Sequence, residues 1–567
     1  MEYETLVNIY EKIDKTSKRL EKVSILAAFL SELKEDEIYN VMLLLKGRVF
    51  EDWKRQEIGI SSKFMLKIIS VASGKTINEI TNLWKKEGDL GITSMKILSK
   101  NQQKTLFTNQ LTIDEVVKSL RKISNLSGKG SSELKIKLLA KLLSNANGLE
   151  IKYIVRTVLE DLRTGASDGV IRDAIKLAFI NEEENASEIL QNAIDMTSDL
   201  SEVAYLAKKS INELKNVKPV IYKPLKLMLF PKTNEFEDVF KNLGKKCAFE
   251  YKYDGFRVQI HKNDKGVKIY TRRLDEITEQ FPDIVENVNK YVKGDNFIID
   301  CEIVGYDKTT GDYLPFQSIS QRIKRKYNIE EISRKFPVEI VVFDVLFHNN
   351  SSFLKVKFEK RRSYLDSIIN DSPKNIRTSE YLITTKINEA KSFYKKSLKE
   401  GFEGIMAKSL SSYYKPGRKV GAGFKLKPIM QELDLVITKA EWGTGKRSKW
   451  LTSFTLSCLD NDGNLMEIGK ASSGLKELES QGLSYLRLTE LVNPLIIKED
   501  GKEVEIKPEI IIEVNYEEIQ KSPTYSSGYA LRFPRIMRLR DDKGLDEVSD
   551  INQIETLYNE QKGKSNS

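Results

Sequence analysis

Glu250-Tyr251-Lys252-Tyr253-Asp254-Gly255-Phe256-Arg257 is the run on which the reading of this chain turns. A lysine set in Lys-x-Asp-Gly-x-Arg can serve as a covalent nucleophile. Lysine is ordinarily protonated near neutral pH, with a pKa of about 10.4. To attack, it needs its charged form disfavoured by burial, by cationic neighbours or by a metal-bound electrophile. Gly255 permits close backbone approach to a ligand, Asp254 can orient or take protons, and Arg257 offers a planar fork. A turn between two strands accounts for the same letters. The downstream sequence has to decide.

Five further blocks follow in order. They are Asp300-Cys301-Glu302-Ile303-Val304-Gly305, Val342-Phe343-Asp344-Val345-Leu346, Glu403-Gly404-Ile405-Met406-Ala407-Lys408, Phe424-Lys425-Leu426-Lys427, and Leu531-Arg532-Phe533-Pro534-Arg535 with Arg540-Asp541-Asp542-Lys543 behind it. Six short blocks in sequence are far more specific than any one of them. Together they resemble the nucleotidyltransferases that include ATP-dependent DNA ligases of the archaeal and eukaryotic replicative type. One departure stands out: a tryptophan is more usual where Gly423 or Phe424 falls.

Composition narrows the setting. The chain has 567 residues, with 92 basic and 82 acidic side chains and a net charge of +10. A basic balance suits a polyanionic partner without proving one. The cysteines, Cys247, Cys301 and Cys458, are odd in number and widely spaced, which argues against a disulfide framework or a four-cysteine zinc site. Two histidines, His261 and His348, cannot support a mechanism built on several. The start, Met1-Glu2-Tyr3-Glu4, has no basic and apolar leader, and no run of about twenty apolar residues occurs. A reducing, cytoplasmic setting without membrane contact is expected, and a monomer.

Proline marks the first boundary. None of the 13 prolines precedes Pro219, and then Pro219, Pro224 and Pro231 fall close together. Such a stretch fits an all-helical region. Val23, Leu26, Leu30 and Leu33 line one helical face, and Ile38, Met42 and Leu45 another. Beyond Pro219, β-branched runs such as Phe297 to Val304, Val338 to Phe347, Leu433 to Thr438 and Ile510 to Val514 read as strands. The tail Gln561 to Ser567 is polar. The expectation is an all-α DNA-binding domain over 1–217, an α/β adenylation domain with a nucleotidyltransferase core over 218–428, and an OB-fold β-barrel over 429–567. The last two assignments draw on the resemblance; the strand pattern alone supports only a β-rich region.

The resemblance implies ATP as substrate, Mg²⁺ as metal with Mn²⁺ as an alternative, and nicked duplex DNA as partner. It makes Lys252 the adenylated residue. It gives Glu302 and Glu403 metal and ribose contacts, which suits a cation that takes one or two carboxylates plus phosphate oxygens. It places Lys425 and Lys427 near the α-phosphate, on one face if the segment is a strand. Phe343 becomes the ring that stacks on adenine, Glu250 the acceptor for the adenine amine, and Arg257 a ribose contact. Arg272 binds a 5′-phosphate or ATP phosphates, Arg418 belongs to the same nucleotide-contacting group, and Arg540 with Lys543 orients pyrophosphate. For several of these a plainer reading exists: a solvated acid for Glu302, a core ring for Phe343, and a solvent-facing edge for the lysine pair.

Gly88-Asp89-Leu90-Gly91, Ser127-Gly128-Lys129-Gly130-Ser131-Ser132 and Leu162-Arg163-Thr164-Gly165 resemble phosphate-gripping loops, with Lys129, Arg156 and Arg163 nearby. Ordinary helix capping explains them equally. Gln103-Lys104-Thr105-Leu106-Phe107 resembles a short sliding-clamp peptide, with Gln103, Leu106 and Phe107 as contacts, or is a plain loop. Other readings remain. An mRNA-capping guanylyltransferase shares several blocks but has no use for the helical region. An NAD-dependent ligase would need the missing cysteines. A clamp-associated protein with a dead core sits poorly with Lys252, Glu302, Glu403, Lys425 and Lys427 all in place.

Overall fold

The computed structural model describes residues 1–54, 56–99, 110–314, 316–323, 325, 327–417, 421–428, 431–444 and 447–560. Before Pro219 the described residues form thirteen helices, from Tyr3–Asp14 to Ile211–Lys215. Their starts are chemically marked. Thr76 with Glu79, Thr112 with Glu115, and Asn147 with Glu150 make reciprocal capping boxes. These satisfy backbone N–H groups that a helix start leaves unbonded. The periodic apolar positions point inward: Val23, Leu26, Leu30, Leu33, Ile38, Met42 and Leu45 all join one buried cluster.

The chain divides into two compact units, Met1–Lys391 with Ile405–Leu426, and Ser392–Gly404 with Lys427–Ser567. In the first, two sheets follow the helices. The five-stranded sheet runs Lys232–Thr233, Gly423–Leu426, Ile405–Ser409, Cys247–Tyr251, Tyr381–Thr384. The other runs Gly266–Thr271, Phe256–Asn263, Phe297–Tyr306, Val338–His348, Ser351–Ser352, with Tyr313–Leu314 and Ile376–Thr378 added at its sides.

The boundary expected near residue 217 is a connection inside the first unit. Side chains of Phe256–Asn263 hold the connecting segment. Tyr222 N–H donates to His261 Nδ1 at 3.0 Å, and Gln259 exchanges two bonds with the Leu225 backbone at 2.9 and 2.8 Å. Arg257 donates to the Met228 carbonyl at 2.8 Å. Residues 257, 259 and 261 alternate along the strand, so they share a face. On the helical side, Lys226 N–H donates to Ser198 Oγ at 2.8 Å, and Lys223 Nζ lies 3.0 Å from Glu202.

The second unit is strand-rich. Its larger sheet runs Leu465–Ala471, Leu451–Leu459, Leu433–Trp442, Glu503–Ile506, Ile496–Asp500. Leu433–Trp442 also pairs through its first half with Ile511–Asn515, which in turn pairs with Arg535–Leu539. Along its other edge, register shifts at Ile437/Lys439 and Glu441/Trp442 interrupt its ladder with Leu451–Leu459. The ladder does not close into a ring among the described strands. A single bridge, Ser473 to Arg535, links the chain beyond one edge to the strand at the other.

Candidate active site

The chain passes from the five-stranded sheet to the larger one through residues 252–255. Glu250 lies at the end of Cys247–Tyr251, Arg257 opens Phe256–Asn263, and half-buried Lys252 sits between them. Gly255 packs against the neighbouring strand. A Cβ there would lie 2.1 Å from the Ile303 carbonyl oxygen and 3.1 Å from Glu302 Cγ. The glycine lets the turn close on the strand carrying Glu302. Gly423 answers a similar need: a Cβ would meet the Ala407 carbonyl at 2.5 Å and the Phe230 ring at 2.9 Å. That crowding excludes a tryptophan at position 423.

The larger sheet has a polar face and an apolar one. Arg257 opposes Glu302, and Gln259 opposes Asp300. Directly opposed residues share a face. The alternating Val258, Ile260, Cys301, Ile303 and Val342 fill the core behind. Between Phe297–Tyr306 and Val338–His348, Asp300 opposes Asp344 while Cys301 opposes Val342. Phe343 is thus the extra residue of a bulge, a device that re-aims a side chain. Its ring centroid lies 5.2 Å from the Arg257 guanidinium carbon and 5.1 Å from Lys408 Nζ. Asp344 anchors the bulge by pairing with buried Arg361 at 2.7 and 2.9 Å.

Asp300 organises the polar face. Fully buried, it accepts two bonds from Arg257 at 2.9 and 2.6 Å and one from the Tyr414 hydroxyl at 2.7 Å. Burial alone would lower the Arg257 pKa, but Asp300, with Tyr414 and Glu302 adding to it, outweighs this and raises it. Burial and the same carboxylate push the Tyr414 phenol well up, so it stays a donor. With the Met228 carbonyl and the Tyr414 oxygen counted, four bonds engage four of the five N–H groups of Arg257. The arginine expected at a ribose is first of all a structural fork.

Glu250 is 2 % exposed. Its Oε2 lies 2.5 Å from Lys408 Nζ, and its Oε1 lies 3.8 Å from Arg362. Oε1 has no hydrogen-bond donor among the described residues. A buried carboxylate oxygen without a donor is costly unless a ligand supplies one. The orphaned acceptor and the bulged ring fit a purine carrying an amine.

The remaining candidates are placed as follows. Half-buried Lys425 lies on Gly423–Leu426, opposite Met406 and Lys232. The strand ends at Leu426, so the expected alternation does not carry Lys427 along it. In the second unit, Lys427 Nζ lies 2.9 Å from Glu403 and 3.5 Å from Glu517. Arg272 is exposed just beyond Gly266–Thr271. Arg540 and Lys543 both pair with Asp434, at 2.8 and 2.9 Å. Hydrogen bonding to Asp542, with Asp434 adding to it, raises the Arg540 pKa. Lys129 is exposed beside Gly130, whose φ of +84° opens the helix Ser131–Asn145 without a side-chain cap. Arg156, expected at a DNA-facing surface, is buried instead. Its Nε and Nη2 donate to Asp89 at 3.2 and 3.0 Å and its Nη1 to the Leu162 carbonyl at 3.2 Å. Arg163 is partly engaged by Asp161 and the Gly88 carbonyl. Arg418, and Gln103, Leu106 and Phe107, lie outside the described residues. No group of three or more His, Cys, Asp or Glu side chains gathers as a metal cage among the described residues. Mg²⁺ held partly by phosphate oxygens does not need one. Sequence reasoning assigned no role to Asp300, Lys408, Arg361, Arg362 or Tyr414, although Asp300 and Lys408 stand inside the quoted blocks.

Comparison with known proteins agrees with this architecture. Residues 2–176 match the family described as DNA ligase N terminus, 227–427 the ATP dependent DNA ligase domain, and 447–543 the ATP dependent DNA ligase C terminal region. A DNA ligase of Nanoarchaeum equitans is 43% identical, covering 99% of each chain. The chain belongs to the ATP-dependent DNA ligase family. It is an enzyme of nick sealing, the activity that defines the family. Other relatives are a DNA ligase of Thermococcus onnurineus, 40% identical over 98% of both chains, and one of Methanocaldococcus jannaschii, 37% identical over 100% of both. The solved structure Pmar-Lig_Pre shares the fold at a TM-score of 0.60 and 15% identity, covering 94% of this chain and 99% of that one. No described helix is long and apolar enough to cross a membrane.

Proposed function

We propose that this enzyme seals 3′-hydroxyl/5′-phosphate nicks through adenylate carried on Lys252, with roles for its other residues as follows. Lys252 Nζ attacks the α-phosphorus of ATP; a P–N bond forms, the P–O bond to pyrophosphate breaks, and the amine loses a proton. The adenylate then passes to the 5′-phosphate at the nick. The 3′-hydroxyl attacks that activated phosphate and AMP leaves. The observation that carries this reading is the juxtaposition of Lys252, in the turn between two sheets, with the orphaned Glu250 Oε1. Glu250 reads the adenine amine and Phe343 stacks on the base. Glu302 and Glu403 are the carboxylates that would each offer oxygen to Mg²⁺, which would offset phosphate charge. Lys425 and Lys427 supply positive charge to the α-phosphate, and Arg257, Arg272 and Arg418 contact the ribose or phosphates. Arg540 and Lys543 act on pyrophosphate in the first step.

The strand-rich unit is an OB-type barrel; its doubly paired strand Leu433–Trp442 and the Ser473–Arg535 bridge support this. The helical region grips the phosphodiester backbone through the open start of Ser131–Asn145 and exposed Lys129. Residues 103–107 engage a sliding clamp, a reading that rests on sequence. These parts suit work in DNA replication, repair and recombination.

The test is intact mass after incubation with ATP and Mg²⁺, followed by peptide mapping. The wild-type chain is expected to gain one AMP on the Lys252 peptide. Lys252→Ala is expected to gain none while still binding a nicked duplex. AMP at another side chain, or adenylation of the variant, would overturn the assignment.

A further inference from the structure

We infer that Lys408 and Arg362 are positioning residues that aim Glu250 and so set the choice of nucleobase. The inference rests on the adenine-reading role of Glu250. Glu250 and Lys408 are 2 % and 5 % exposed. The ammonium takes Oε2 at 2.5 Å and leaves Oε1 as the acceptor without a donor. Adenine presents an amine at its six-position, whereas guanine presents a second acceptor there. A carboxylate pinned by one oxygen can therefore bond adenine and meets guanine oxygen to oxygen. If the pin is removed, the carboxylate can turn, and the discrimination falls.

Lys408 bears on both features that read the base. It lies opposite Ala248, two residues along the strand from Glu250 and so on the same face, which fixes its reach to the carboxylate. Its Nζ is also 5.1 Å from the Phe343 ring centroid and 4.6 Å from that of Phe358. An ammonium between two ring faces and a carboxylate has little freedom to leave. Arg362 is the second cation. Ser379 holds it by two bonds at 2.8 and 3.0 Å, and the Tyr381 ring lies 4.2 Å from its guanidinium carbon. It lies 3.8 Å from Oε1, beyond hydrogen-bond reach, so it supplies charge without occupying the acceptor.

The experiment compares self-adenylation by ATP with the analogous reaction of purine riboside triphosphate, which lacks the six-amino group. The variants are Lys408→Met, Lys408→Arg and Arg362→Gln, each checked for folding by thermal melting. For Lys408→Met, kcat/KM for ATP is expected to fall about tenfold or more, mostly through KM, with little change for the analogue. Lys408→Arg should restore most of the difference, and Arg362→Gln should reduce the ATP advantage by about threefold. A purely packing role would lower both nucleotides equally. An equal loss in a folded Lys408→Met, or no rescue by arginine, overturns the inference. If Lys408→Met does not fold, the ratio in Arg362→Gln decides. A wild-type chain that gains no nucleotide on Lys252 defeats the parent reading. One that takes both nucleotides equally well removes the adenine-reading role of Glu250 and this inference with it, and leaves adenylation of Lys252 standing.

Discussion

The polar face of the sheets and the loop that opens the helix Ser131–Asn145 handle charge in opposite ways. In the sheets, Asp300, Asp344 and Glu250 are almost fully buried, and each faces a cation that is itself held on other partners. In the helical region, Lys129 stands exposed beside glycines on an uncapped helix start. Buried pairs cost desolvation and return fixed geometry. Exposed charges return little stability and give salt-sensitive attraction. Under the proposed roles, the first arrangement suits recognition of one small molecule and the second a grip on a polymer of any sequence.

The sharpest test of that contrast is the buried pair. Asp300→Ala leaves the Arg257 guanidinium without its carboxylate and the Tyr414 hydroxyl without its acceptor. Breaking a buried pair from one side costs about 3–5 kcal/mol. Denaturant unfolding should show a loss of that size, together with loss of self-adenylation. A loss below about 1 kcal/mol would mean that the network is not what holds the polar face.

A second test uses acid. His261 is fully buried among neutral partners: the Tyr222 amide donates to Nδ1, Gln259 Oε1 lies 3.3 Å from Nε2, and Tyr270 meets the ring edge-on. Burial lowers its pKa to about 3 from the ordinary value of 6.5. The unfolded chain therefore binds the proton first. The histidine's contribution is fully present above about pH 6.5 and is lost as pH falls toward about 3, by about 1.4 kcal/mol per unit. His261→Gln should be less stable than wild type at pH 7.5 but show a shallower loss between pH 6.5 and 5. Parallel pH profiles for the two would refute the assignment.

Much of this contrast was readable in the sequence, and the missing part has a common cause. Apolar periodicity located the helices because Leu26, Leu30 and Met42 face the core at helical spacing. The β-branched runs located strands such as Phe297–Tyr306 and Val338–His348 for the same local reason. The blocks brought Lys252, Glu250 and Phe343 into one reading. What they could not show is which residue touches which across the fold. Gly255 serves Ile303, Arg257 is claimed by Asp300, and Arg156 turns inward to Asp89. The bulge that re-aims Phe343 exists only in the register of two strands about forty residues apart. Each depends on a long-range pairing that no local pattern encodes.

The smallest effect is expected at the exposed end of the comparison. Lys129→Ala removes one cation from the open start of Ser131–Asn145 and disturbs no buried contact. The melting temperature should not move. Affinity for a nicked duplex should fall by only a few fold near physiological salt, uniformly across sequences flanking the nick. The diagnostic is the salt dependence, since each phosphate neutralised adds about 0.9 to the slope of log affinity against log salt. A titration from about 50 to 200 mM salt should show the variant's slope shallower by about one. An unchanged slope would place Lys129 away from the phosphates. A loss confined to particular sequences would mean that this surface reads bases, and the contrast between the two regions would then fail.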